Sequence, residues 1–168
     1  IHTEILEPQR VAGSLSNARR AVDWVIADLH PSYSPLNRAI FDKADRILIP
    51  VTPDLPAIRA VVKLVDVADE LGMRERLSLV INRSGTGVPT EDVEKAVGLP
   101  AYAEIRSAGP MLVRAANEGR TLVELGSGSP ITNDFSILAD KLLGRPVAAA
   151  APARSGFKLF GKLAAARA

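Results

Sequence analysis

Apolar and polar positions along the chain fall into two alternating kinds of block. Short, mostly apolar runs occur at 24–28, 46–51, 77–82 and 101–105, the first with β-branched Val25 and Ile26. Each is long enough for a buried strand, too short for a helix, and ends in polar or turn residues. Between them lie stretches with helical spacing: 11–22, 35–44, 55–71, 90–97, 110–118 and 132–143. The clearest is 55–71, where Ile58, Val61, Val62, Val65 and Ala68 share one face and Gly72 supplies the stop. Pro35 suits a first helical turn, and Thr90 reads as a cap, with Glu91 and Asp92 in the turn that follows. Strands alternating with helices predict right-handed βαβ units, hence an α/β fold with a parallel sheet and flanking helices. Pro50 is placed at the end of its strand, because proline cannot donate to a central ladder.

From Arg145 onward the pattern changes. Residues 145–168 are Ala/Pro-rich and basic, and 147–153 reads as a flexible linker. The expected organisation is therefore a body over 1–144 and a tail over 145–168. On a helical wheel Phe157, Leu159, Phe160 and Leu163 share one side, while Lys158 and Lys162 stand opposite. Such a segment suits an anionic membrane surface or a partner's groove; the plain alternative is a disordered, Ala-rich terminus.

Charge sharpens this division. The 168 residues carry a net +2, but all five charged residues after position 144 are basic. Residues 1–144 hold 16 basic against 19 acidic side chains, which argues against a general nucleic-acid-binding face on the body. Without cysteine there is no disulfide or thiolate metal site, and two scattered histidines make a histidine-based site improbable. No apolar run approaches the length of a membrane-spanning helix. The chain starts at Ile1 without an initiator methionine, so the expectation is a processed chain or a piece of a longer one.

Three chemical features stand out. Asp28 is expected at the C-terminal tip of a buried strand, where an open α/β sheet places ligand-binding groups; a turn cap is the plainer alternative. Asn82 and Arg83 end another strand, where an Asx turn and a solvated arginine are the corresponding alternatives. Gly156 to Leu163 nearly spells a phosphate-binding loop, but Leu163 occupies the magnesium-ligating Ser/Thr position and no strand precedes it. The other Gly-rich loops lack the lysine, so the chain carries no such loop.

The order of motifs nevertheless resembles a family. A strand ending Asp28-Leu29-His30-Pro31 comes first, then Ala44-Asp45-Arg46 and a strand ending Thr52-Pro53-Asp54-Leu55-Pro56. Val80-Ile81-Asn82-Arg83 and Arg114-Ala115-Ala116-Asn117-Glu118-Gly119 follow. Over about residues 21–143 this looks like the C-terminal half of a ParA/MinD-type P-loop ATPase, closest to the CpaE/TadZ branch associated with pilus assembly. The resemblance implies a dimeric, cytoplasmic positioning switch, in places peripheral at the inner membrane or cell pole, that uses ATP and Mg. Asp28 matches the carboxylate that holds Mg through water; Asn82 matches the adenine-reading asparagine, with Arg83 beside it to stack on the base. The lysine-bearing phosphate loop is expected upstream of Ile1, so no catalytic residue is assigned within the chain and hydrolysis by the chain alone is not expected. Two departures favour the alternative of a degenerate, non-catalytic localisation scaffold. His30 replaces a proline of the family's Asp-x-Pro-Pro, and Arg106-Ser107-Ala108 replaces Pro-x-Asp.

Overall fold

The computed structural model describes residues 7–126 and 128–147. The predicted amphipathic segment 157–163 and most of the predicted linker lie outside them.

Three strands, β1 (Ile47–Val51), β2 (Leu77–Ser84) and β3 (Ala101–Arg106), pair in parallel in the order β1-β2-β3. Helices α3 (Leu55–Glu70) and α4 (Thr90–Val97) provide the crossovers. Their apolar stripes cover one face of the sheet: Ile58, Val61 and Val65 of α3 and Val93 and Val97 of α4 pack with Ile47, Ile49, Val51, Leu79 and Ile81. Leu79, Ile81 and Val93 are fully buried. The opposite face is covered from β2 outward. Val80, Ala103 and Ile105 meet Ala115 of α5 (Pro110–Asn117), Leu122 of α6 (Leu122–Leu125) and Ile131 of α7 (Pro130–Leu142). The two faces follow from period-2 alternation along strands that are apolar on both sides, as a parallel sheet requires.

Before the sheet come α1 (Pro8–Ala21) and α2 (Pro35–Lys43), which pack against each other. Buried Asn37 of α2 ties down the chain ahead of it, its amide donating to the carbonyls of His30 and Ser32 at 2.8 and 2.9 Å. At the far end of α2, Arg76 donates to the carbonyls of Phe41 and Ala44, satisfying groups a helix terminus leaves open.

Three expectations need correction. The strand predicted at 24–28 is absent: this segment has no regular structure and no sheet pairing, and its apolar residues are exposed, Trp24 at 54% and Ile26 at 90%. A strand exists only with a neighbour to take its backbone hydrogen bonds. β1 pairs with β2 alone, so its outer edge is open among the described residues, yet 24–28 does not pair with it and has no partner for its backbone groups. Thr90 does not cap α4. Pro89 holds that position and Thr90 donates to Glu104 instead. Finally, α6 falls where no helix was expected, although its capping box, Thr121 with Glu124, is written in the sequence.

Candidate functional site

The C-terminal ends of the three strands converge on one edge, the place where an open parallel sheet presents binding groups. β1 leaves through Thr52, Pro53 and Asp54. Asp54 caps α3, its carboxylate accepting the Ala57 N–H at 3.0 Å and the Thr52 hydroxyl. The Thr52 hydroxyl, the Ala57 N–H and the nearby Arg83 guanidinium together hold the Asp54 carboxyl below the usual carboxylate range. The positive end of α3 is thus already occupied by the chain's own carboxylate.

Asn82 and Arg83 lie near the end of β2, just before Ser84, and both are exposed. Arg83 has φ 60°, the one left-handed non-glycine among the described residues. An L-residue other than Asn or Asp seldom adopts this conformation without strong support. That support is visible. The Thr86 hydroxyl donates to the Arg83 carbonyl at 2.6 Å, and the Val88 N–H donates to the Pro53 carbonyl at 2.9 Å. The loop after β2 is therefore latched onto the loop after β1. Gly87 makes the approach feasible, since a Cβ there would sit 2.1 Å from the Pro53 oxygen. The Asn82 amide bonds to no other described residue, which leaves its donor and acceptor free.

β3 ends at Arg106, beside Ser84 in register. Its guanidinium grips buried Asp134 of α7 through Nε and Nη2 at 2.7 and 2.9 Å, and its backbone N–H reaches the same carboxylate at 3.0 Å. At the position where the sequence departs from Pro-x-Asp, an ion pair closes the end of the sheet. Sequence reasoning missed this pair, and nothing local signals partners 28 residues apart.

Of the residues expected to form the site, the fold brings Asn82 and Arg83 together, next to Thr52 and Asp54. It does not bring in Asp28, which is exposed on the segment outside the sheet. His30 is exposed as well, with Nδ1 3.2 Å from the Pro31 carbonyl and no carboxylate to orient it. The described residues contain no group of three or more potential metal ligands. An open concavity of about 530 Å³, bordered by Val113, Arg114 and Glu118 of the α5 region, shares none of these residues. Its arginine is already paired with Glu118.

No family model matches the chain. The chain is 26% identical over 152 residues to the septum site-determining protein MinD of Thermotoga maritima, an alignment covering 86% of the chain and 55% of that protein. Among solved structures it resembles a ParA family ATPase from Chlorobium tepidum, with a TM-score of 0.74 at 21% identity over 82% of the chain and 57% of the other. It also resembles the MinC:MinD cell division complex of Aquifex aeolicus, with a TM-score of 0.72 at 17% identity over 86% and 62%. The fold is thus that of the ParA/MinD-type P-loop ATPases, and the sequence likeness to MinD points the same way. The chain spans somewhat more than half the length of these relatives.

Proposed function

We propose that residues 1–144 are the C-terminal portion of a ParA/MinD-like ATPase domain, and that Asn82 and Arg83 form the adenine end of its nucleotide site. The observation that carries this reading is the strand-tip arrangement itself. An unpartnered amide and a strained arginine stand at the end of the central strand, latched to the preceding loop, in a fold shared with these ATPases. In this reading ATP and Mg bind only together with a phosphate loop supplied by a further segment, and Asp28 holds Mg through water. Two features support such a segment. Among the described residues the outer edge of β1 has no neighbour, and apolar Leu48, Trp24 and Ile26 are exposed. A further strand beside β1 would give the 24–28 run a sheet to join.

The protein would then work as a cytoplasmic, homodimeric positioning switch. Its motifs favour pilus assembly or polar localisation of partner proteins in the manner of the CpaE/TadZ branch. The tail, through Phe157, Lys158, Leu159, Phe160, Lys162 and Leu163, would supply peripheral membrane contact. The Arg106–Asp134 pair in place of Pro-x-Asp favours a second reading, a scaffold that kept the fold and lost the chemistry.

Hydrolysis separates the two. In the polypeptide that joins this chain to a phosphate loop, Asp28→Asn should lower Mg-dependent ATP turnover by roughly a hundredfold or more while ATP binding persists, because the metal's contribution lies in the charged transition state. Absence of turnover in the unsubstituted polypeptide, with localisation intact, would support the scaffold.

A further inference from the structure

The opposite edge of the sheet, where the strands begin, holds a second cluster that the nucleotide reading does not use. Arg46 precedes β1, Ser78 and Tyr102 are the second residues of β2 and β3, and Lys141 reaches over from α7. Both cations lie against one ring, the Arg46 guanidinium 4.7 Å and the Lys141 ammonium 5.6 Å from the centroid of Tyr102. Each is also anchored. Arg46 donates to the buried Ser78 hydroxyl at 2.8 Å, and Lys141 donates to the Tyr102 carbonyl at 2.6 Å. Beside them is a cavity of about 320 Å³, whose apolar wall includes Leu99 and Pro100. That volume is at the lower end of small-molecule sites.

The electrostatics are unbalanced. The neighbouring arginines are spoken for: Arg19 by Asp45, Arg74 by Asp69, and Arg76 by the carbonyls ending α2. No carboxylate of the described residues lies within ion-pair distance of Arg46 or Lys141. Two anchored cations facing one pocket without a counter-charge favour a ligand that brings two negative charges. A phosphate monoester does so near neutral pH, whereas a single carboxylate brings one. The guanidinium fork suits its oxygens, and the leucine and proline wall suits a short apolar body.

We propose that this pocket at the N-terminal edge of the sheet binds a small phosphate monoester, with Arg46 and Lys141 holding the phosphate. The site is separate from the strand tips, so it stands or falls independently of ATP binding there.

Phenyl phosphate serves as the probe, titrated into the full chain by calorimetry and by amide chemical shifts. Saturable binding is expected, with shifts at Ser78, Ala101 and Tyr102. The exposed substitution Lys141→Gln should weaken binding roughly tenfold, the loss of one charge-assisted contact. Arg46→Gln combined with Lys141→Gln should abolish it, with an unchanged melting curve as the control for folding, while Asn82→Ala should leave it intact. Affinity should also fall as the pH drops below about 6, where the monoester takes up its second proton. Equal binding by the Lys141→Gln protein would overturn the assignment. So would the same shifts from sodium chloride at matched ionic strength, or an equal affinity for succinate, which would make the pocket a dicarboxylate site.

Discussion

Arg83 shows how much the surroundings of a single residue must supply. A left-handed arginine costs about 1–2 kcal/mol relative to ordinary backbone, and here the Thr86 hydroxyl and the docked loop hold it in place. Its neighbour Asp54 gives a readable electrostatic consequence. Its carboxyl is held below the ordinary value in the fold, first by the Thr52 hydroxyl, then by the Ala57 N–H, with a smaller contribution from Arg83. A carboxyl depressed in the folded state stabilises above its unfolded pKa, and that stabilisation is lost as the pH falls through the folded value. Asp54→Asn keeps a capping oxygen and removes the charge. The substituted protein should therefore have the lower urea midpoint at pH 7, and the gap should close below about pH 4. A gap that stays constant into acid would mean the Asp54 charge adds nothing. The strand-end position of Asn82 and Arg83 was legible from sequence, because a polar pair ending an apolar run is a local signal. The Arg83 backbone and the Arg106–Asp134 pair were not, since each depends on contacts between segments far apart in the chain.

Elements were legible to the extent that they form their contacts within the chain. Segment 55–71 and the runs at 46–51, 77–82 and 101–105 appear nearly as read, because their apolar stripes have partners on the sheet. The run at 24–28 has the composition of a buried strand and is exposed, because a strand's pairing lies outside itself. The loop after β2 shows the same dependence at smaller scale. Gly87 has a backbone conformation open to other residues, so its need for glycine comes only from the Pro53 carbonyl. Gly87→Ala should therefore break the Val88–Pro53 hydrogen bond and cost about 1–3 kcal/mol in chemical denaturation. Full retention of stability would show that the two loops are not latched.

For the molecule as a whole, the two proposed sites lie at opposite edges of the sheet, Asn82 and Arg83 at the strand tips and Arg46 and Lys141 where the strands begin. Fold class followed from sequence because βαβ alternation is periodic and extends over most of the described chain. The ParA/MinD likeness rested on motif order, and the fold agrees with it. The adenine-reading role proposed for Asn82 would show itself in nucleotide selectivity. ATP and GTP affinities should be measured for the polypeptide carrying both this chain and a phosphate loop, with Asn82 intact and as Asn82→Ala. Loss of a paired amide should weaken ATP binding by roughly ten- to a hundredfold and bring it level with GTP. Unchanged ATP affinity, with ATP still preferred over GTP, would mean that Asn82 does not read adenine.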